Sequence, residues 1–346
     1  KDTPGNPGNP GNPGVPGNSG STGNTQGSSI NENNGSQESV TTTLSITADM
    51  LTTNKESGQA IVEIKADTQE VQLSSAAIKQ LGNDALVLKS GKLGLHIPAE
   101  VLQQLMNKLP EQQQEGSIVT LKMVPLGSEG NKIIAAAQDM TQARVSLKSE
   151  IYAFSISIQS KSGFNETLSK FDKPVVLSLH AVEGFEPSKG GMYAIGEQGK
   201  LEFVRGEYAA NVLTGEISEF GTYAVLELER SFTDVPAYHW ASPVIHELAA
   251  KLIVQGTHGG LFEPGREVTR AEFASMLVHS LGLTTAGEME FRDVAADRWY
   301  AAPISIAYKA GIVSGKSRDA FEPDLPITRE EMAVMVMKGY SLGKDQ

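Results

Sequence analysis

The 346-residue chain contains no cysteine, which excludes disulfide bonds and thiolate metal sites. Basic residues are also scarce: 29 Lys and Arg stand against 41 Asp and Glu, giving a formal net charge of −12 at pH 7. An acidic chain without a basic run is poorly suited to a phosphate backbone, so we expect no nucleic-acid partner. No apolar run approaches the roughly 20 residues of a membrane-spanning helix, so we expect no membrane insertion.

Catalytic signatures are missing as well. The chain has no HExxH, GxSxG, GxGxxG or Walker sequence. We therefore expect no enzyme activity, no metal site and no cofactor in this chain. A glycan hydrolase remains the alternative, and it would need two carboxylates about 5–10 Å apart in a cleft.

Residues 1–41 form a low-complexity leader. Glycine recurs at every third position from Gly5 to Gly20, mostly after proline, and Ser, Asn, Gly and Gln follow. The triplets are too few and too rich in asparagine for a collagen helix. The composition predicts a disordered, partly extended linker.

Residues 42–229 show the alternation of half-buried strands. Apolar residues occupy every second position in the segments 119–123, 154–158 and 175–179. Clusters of turn-forming residues separate these segments. We predict a β-rich, sandwich-like domain of unknown function.

Residues 230–346 contain a pattern that recurs at a constant offset of 59 positions. The first copy reads FTDVPAYHW, IVQG, FEP and TRAEFASM, and the second reads FRDVAADRW, IVSG, FEP and TREEMAVM. A fixed period of this length indicates one supersecondary unit used twice, here assigned to residues 230–286 and 287–346. A repeated unit favours binding or assembly, because a catalytic site is normally built once.

Each copy carries a helix start with an unusual arginine. Thr269 and Thr328 are each followed three residues later by glutamate, which is the signature of a capping box. The arginine that follows each threonine opposes the helix dipole. An arginine beside exposed helix-start amides is, however, a good receptor for a carboxylate or phosphate.

The complete pattern, F-x-D-V, W, I, G, F-x-P and T-R-x-E, resembles the S-layer homology (SLH) domain. The resemblance implies non-covalent anchoring to secondary cell-wall polysaccharides, often anionic and pyruvylated, of Gram-positive envelopes. It also implies helical repeats, usually three, that form a bundle with sugar-binding grooves between them. The predicted fold class is therefore a multidomain chain: a β-rich sandwich-like domain followed by an all-α bundle of SLH repeats, the third repeat missing. We interpret the chain as a C-terminal fragment of an extracellular, Paenibacillus-like surface protein located in the cell wall or S-layer.

The resemblance assigns eight residues to glycan binding. They are Arg270 and Arg329 for a carboxylate, Trp240 and Trp299 for an apolar sugar face, Asp234 and Asp293 for hydroxyl groups, and Gly256 and Gly315 for close backbone approach. Structural roles stay open for several of them: the tryptophans as core aromatics, the aspartates as turn or cap residues, and the glycines as turn residues. The alternative functions are a self-assembling S-layer lattice protein and a fragment of a wall-anchored glycoside hydrolase.

Overall fold

The computed structural model describes residues 42–342, except residue 52 and residues 55–56. The predicted linker, residues 1–41, lies outside the described residues. The described residues belong to one compact unit.

Two β-sheets dominate the first part of the chain. The strands are β1 Thr42–Ile46, β2 Thr53–Asn54, β3 Gln59–Glu63, β4 Thr68–Ser74, β5 Ala85–Lys89, β6 Leu93–Ile97, β7 Ile118–Pro125, β8 Arg144–Leu147, β9 Tyr152–Gln159, β10 Asn165–Thr167, β11 Lys170–His180, β12 Gly190–Ile195, β13 Leu201–Val204, β14 Gly206–Ala209, β15 Val212–Glu219 and β16 Thr222–Glu229. The helices of this part are α1 Ser75–Leu81, α2 Ala99–Met106, α3 Glu111–Gln114 and α4 Glu129–Thr141.

Both sheets are mixed. One has the order β1-β4-β7-β9-β16-β12-β13, with β10 paired to β9 and β8 to β16; the other has the order β14-β15-β11-β6-β5-β3-β2. The β1–β4 and β3–β5 pairs are parallel, whereas their other neighbours are antiparallel. The three segments with apolar alternation lie in β7, β9 and β11. Their inward residues meet in one large cluster that contains side chains from both sheets and from α1 and α2.

Within the described residues the repeats contain four α-helices joined by long segments of turns and extended chain, the first of which includes a short 3-10 helix, His258–Gly260. The helices are α5 Ser242–Ala250, α6 Arg270–Leu281, α7 Ala301–Lys309 and α8 Arg329–Leu342. The cores of the two repeats are built around Phe232 and Phe291, whose rings pack against Phe262 and Phe321 of the respective FEP segments.

The predicted fold class is wrong. The described residues form two mixed sheets with helices on them, and the repeats are not an all-α bundle. Turns and extended segments such as 251–269 and 310–328 make up much of each repeat, and Thr269 and Pro326 even form an antiparallel β-bridge. The reason is local: Glu263 and Glu322 both adopt a positive φ, at 58° and 62°, and each is followed by proline, so no helix passes through the FEP segment.

The β-sheet unit and the first repeat share a buried contact. The Tyr193 hydroxyl donates to the carbonyl of Ala250 at the end of α5. Ala250 and Leu252 also join the apolar cluster of Tyr193 and Leu226. The first repeat therefore packs directly on the sheet that contains β16.

Candidate functional site

The two tryptophans lie at equivalent places, two residues before α5 and two residues before α7. The Trp240 side chain is 89% exposed and the Trp299 side chain 60% exposed. Tryptophan is on average highly buried, so both side chains are unusual. The exposure removes the interpretation of the tryptophans as core aromatics and leaves two apolar rings available to a ligand.

A basic side chain precedes each tryptophan. The His239 ring stacks beside the Trp240 ring at 6.0 Å between centroids. Arg298 precedes Trp299, is exposed, and its Nε donates to the Tyr300 hydroxyl at 3.4 Å, which raises the pKa of the guanidinium. We did not predict these two residues from the sequence, although a basic residue before each tryptophan was the available signal.

The two aspartates hold the FEP segments. Asp234 accepts from the backbone amides of Phe262 at 2.8 Å and Glu263 at 2.6 Å. The Phe262 amide is the main reason that the pKa of Asp234 is below its usual value. Asp293 accepts from the equivalent amides of the second repeat at 2.9 and 2.7 Å. Each carboxylate thereby stabilises a turn whose glutamate has a positive φ, which is an unfavourable conformation for that residue.

The two glycines are required by packing inside each repeat. A Cβ on Gly256 would lie 2.6 Å from the ring of Phe232, and a Cβ on Gly315 would lie 2.6 Å from the ring of Phe291. Backbone carbonyl oxygens crowd the same positions, at 2.5 Å for Gly256 and 2.8 Å for Gly315. The close approach that we predicted toward a ligand is thus made toward the repeat's own aromatic core.

Arg270 lies in the junction between the repeats and is only 5% exposed. Its Nε donates to the carbonyl of Phe321 at 3.0 Å, and Nη2 donates to the carbonyl of Ser314 at 2.6 Å. Nη1 lies 3.1 Å from the Glu331 carboxylate, and the guanidinium carbon lies 4.7 Å from the centre of the Phe321 ring. Burial lowers the pKa of Arg270, and the nearby carboxylates oppose this. All three guanidinium nitrogens are therefore used to join the first repeat to the second.

The backbone at the start of α6 reinforces this junction. The amides of Arg270 and Ala271 donate to the carbonyls of Leu325 and Pro323, at 2.9 and 3.0 Å. The predicted capping box is confirmed: Glu272 donates its amide to the Thr269 hydroxyl, and the Thr269 amide donates to the Glu272 carboxylate. Helix-start amides that usually lack partners are here satisfied by the cap and by the second repeat.

Arg329 occupies the matching position in the second repeat but has a different environment. Its side chain is exposed, and it forms no ion pair with any residue that the structure describes. The cap beside it is complete, since Thr328 and Glu331 exchange the same two hydrogen bonds. The pKa of Glu331 is below its usual value: burial opposes the shift, but Lys316, the Thr328 amide and Arg270 outweigh it.

Two negative findings concern other kinds of site. Within residues 42–342, the gaps excepted, no group of three or more His, Asp or Glu side chains could hold a metal ion. None of the helices in the same ranges combines the length and apolarity that a bilayer span requires.

Comparison with known proteins identifies the repeats. The S-layer homology domain model matches residues 231–274 and 290–333. The chain is thus an S-layer homology domain protein, and the predicted resemblance is confirmed. Its SLH part is non-catalytic.

Relatives include both enzymes and S-layer proteins. An amylopullulanase of Thermoanaerobacterium thermosulfurigenes is 32% identical over 298 residues, which cover 84% of this chain and 14% of that protein. The exoglucanase XynX of Acetivibrio thermocellus is 39% identical over 132 residues, 38% of this chain and 12% of that protein. The S-layer protein sap of Bacillus anthracis is 35% identical over 141 residues, 40% of this chain and 16% of that protein. The chain spans only a small share of these relatives' length.

Proposed function

We propose that this chain attaches a surface protein non-covalently to the bacterial cell wall through its two SLH domains. The relatives support this proposal, because parts of this chain are similar both to an S-layer protein and to an amylopullulanase and an exoglucanase. Similarity to proteins of such different activity indicates a function that all of them require, and attachment to the cell wall is such a function. The location that follows is extracellular, at the cell wall.

The ligand in this proposal is an anionic secondary cell-wall polysaccharide bearing pyruvyl groups. The observation that carries it is the exposed position of Trp240 and Trp299. An exposed aromatic face binds the C–H surface of a sugar ring or the methyl group of a pyruvyl ketal. His239 stacks beside Trp240 and offers a ring N–H, and Arg298, which precedes Trp299 in the chain, supplies positive charge for the pyruvyl carboxylate.

Three of the remaining predicted site residues support the site from inside the repeats. Arg270 fixes the first repeat against the second, whereas Asp234 and Asp293 fix the FEP turns. Pre-organisation of this kind reduces the ordering cost of binding a ligand. We assign these three residues to positioning of the site.

The test is retention of the 346-residue chain on purified cell-wall sacculi, before and after hydrofluoric acid removes the anionic polymer. We expect retention on untreated sacculi only, because the stripped peptidoglycan lacks the proposed ligand. Equal retention on both preparations would contradict the proposal.

Substitutions of exposed aromatic residues test where on the chain the polysaccharide binds. We expect Trp240→Ala combined with Trp299→Ala to weaken retention at least about tenfold, since aromatic anchors dominate binding energy. Phe164→Ala is the matched control, because Phe164 is an exposed aromatic residue, 46% accessible, of the β-sheet unit. Loss of retention in the control but not in the tryptophan variant would place binding outside the repeats.

Residues 42–229 are, in our proposal, a non-catalytic part of the anchor that forms a domain separate from the repeats 230–286 and 287–346. The amylopullulanase relative supports a link between this domain and the repeats, because its 298 matched residues are more than the repeats contain and include part of the β-sheet unit. Release of reducing sugar from a wall polysaccharide by the purified chain would favour the wall-anchored hydrolase instead. A regular lattice formed by the purified chain would favour the S-layer protein.

A further inference from the structure

The first helix of each repeat ends in the same backbone conformation but on a different residue. After α5, Leu252 has a φ of 56°, and after α7, Gly311 has a φ of 74°. Both residues close the same helix-end motif, in which their amides donate to the carbonyl three positions earlier. Glycine is the usual residue at this left-handed position, whereas a leucine is strained there. The first repeat therefore has an unfavourable residue where the second repeat has the favourable one.

The strained leucine packs on the β-sheet unit. Its side chain joins the apolar cluster of Tyr193 and Leu226, which also contains Ala250. Ala250 is 1% exposed, whereas the residue 59 positions later is a lysine, Lys309. Burial of a lysine without a partner is costly, and backbone strain persists only where surrounding contacts outweigh it. The alanine and leucine of the first repeat thus fit the sheet, and the lysine and glycine of the second repeat do not.

Polar groups of the β-sheet unit also contact both helices of the first repeat. The last carbonyls of an α-helix have no partner within the helix. The hydroxyl of Tyr193, a fully buried residue, donates to the carbonyl of Ala250 at the end of α5. Nη1 of Arg205 donates to the carbonyl of Leu281 at the end of α6, at 3.5 Å, and a cation is favourable at that end of a helix. The β-sheet unit therefore contacts the first repeat at two separate helix ends.

The two donors come from different places in the β-sheet unit. Tyr193 lies in β12, within the sheet that contains β16. Arg205 lies between β13 and β14, where the chain passes from that sheet to the other one. One point of attachment would let the first repeat rotate about it, whereas two points on two helices restrict that rotation. The contacts therefore determine the orientation of the first repeat as well as its position.

We propose that residues 42–229 serve as a docking base for the first repeat, which Ala250 and Leu252 fit to the sheet that contains β16. The base holds the first repeat in one orientation relative to the two sheets, and the Arg270 junction extends this order to the second repeat. The place is specific to the first repeat, because the second repeat has a lysine and a glycine at the two fitting positions. This role for residues 42–229 does not depend on which ligand the repeats bind.

Residues of the second repeat, placed in the first, test the docking. Ala250→Lys combined with Leu252→Gly reproduces Lys309 and Gly311, with which the second repeat forms the same helix end, so the repeat itself keeps its fold. We expect this variant of the 346-residue chain to undock. Its radius of gyration in small-angle X-ray scattering then rises, and hydrogen exchange around Tyr193 becomes at least about tenfold faster. An unchanged radius of gyration together with unchanged exchange would overturn the proposal.

The leucine alone gives a test in which the sign of the effect decides. Leu252→Gly relieves the backbone strain, so without a docking role it would leave the melting temperature unchanged or raise it. We expect a lower melting temperature and faster hydrogen exchange in α5, because the packed side chain is lost. Ala210→Gly is the matched control, since Ala210 has a φ of 50° in an exposed turn, and we expect little change there. A Leu252→Gly variant that melts no lower than the unaltered chain would contradict the proposal.

A substitution within the base tests whether its effect reaches the repeat. Tyr193→Phe leaves the Ala250 carbonyl without its donor, so we expect faster hydrogen exchange at the end of α5 and in α6. Tyr223→Phe is the matched control: Tyr223 is also buried, but its hydroxyl donates to the carbonyl of Glu219 within the β-sheet unit. We expect the effect of the control to stay within the sheets. Faster exchange confined to β12 in Tyr193→Phe, or equal effects of both variants on α5, would overturn the proposal.

Discussion

The two T-R-x-E motifs have nearly the same sequence and opposite environments. Arg270 is buried and bonded through all three guanidinium nitrogens, whereas Arg329 is exposed and forms no ion pair within the described residues. The capping boxes beside them are alike. The motif therefore determines the helix start, and the neighbouring surface determines what the arginine does.

The strongest test of this comparison replaces each arginine by alanine. Arg270→Ala leaves the carbonyl groups of Phe321 and Ser314 without the guanidinium that donates to them, whereas Glu331 keeps Lys316 and the Thr328 amide. Each unsatisfied buried acceptor costs about 1–3 kcal/mol, so we expect a loss of about 3 kcal/mol. Arg329→Ala removes an exposed side chain, so we expect a change within about 0.5 kcal/mol. Urea unfolding at low protein concentration measures both; equal losses would show that the two environments do not differ.

Substitution of a packed glycine gives the next largest expected loss of stability. We expect Gly315→Ala to destabilise the second repeat by about 2 kcal/mol, because the new Cβ would overlap the Phe291 ring. Gly265→Ala is the control: its Cβ meets nothing within 4 Å. Melting temperatures of the two variants distinguish a packing requirement from a general sensitivity to replacement of glycine.

We expect alanine substitution of either capping threonine to lower stability by a similar amount, in contrast to substitution of the two arginines. Thr269→Ala and Thr328→Ala each remove one cap, which typically contributes about 1 kcal/mol. Helix content by circular dichroism, followed through urea unfolding, measures both losses. A much larger loss for Thr269 would show that its cap stabilises the junction between the repeats as well as its own helix, because the backbone β-bridge to Pro326 is kept in the alanine variant.

The smallest expected effect is a loss of stability in acid. The pKa of Glu331 in the folded chain is below its ordinary value of 4.5, so its contribution is present above that value and is lost as the pH falls through the folded pKa. Asp234, also shifted down, acts in the same direction from 3.8. We expect the melting temperature to fall by a few degrees below about pH 4, and less so in Glu331→Gln. A melting temperature that rises in this range would contradict the sign of both shifts.

Part of this structure could be predicted from the sequence, because local signals determine it. The 59-residue period, the capping boxes and the alternating strands each depend on neighbouring residues, and each was found where the sequence placed it. The burial of one face of α6 could not be predicted in the same way. Its members are mainly an arginine and small side chains, which lack the apolar stripe that marks a buried helix face, whereas the larger apolar side chains of Phe273, Leu277 and Leu281 on the same helix are only partly buried.

For the site residues, too, the sequence did not determine the environment of each side chain. A pattern that recurs twice identified the tryptophans and arginines as important, but it could not distinguish a ligand contact from a contact within the chain. The exposure of Trp240 and the burial of Arg270 against the second repeat distinguish the two side chains, and both are properties of the tertiary structure. The all-α expectation failed for a related reason, since the FEP turns depend on aspartates 28 positions earlier in the chain.

The direct contact between the sheet unit and the first repeat has a mechanical consequence. Strand β16 ends at Glu229, and Phe232 already lies in the core of the repeat. Tension applied to the repeats would reach β16 without a slack connection, and β16 is flanked on both sides by β12, β9 and β8. A pull along that strand would load its hydrogen bonds in shear, all together instead of one by one, so we expect the connection between the sheet unit and the repeats to resist extension.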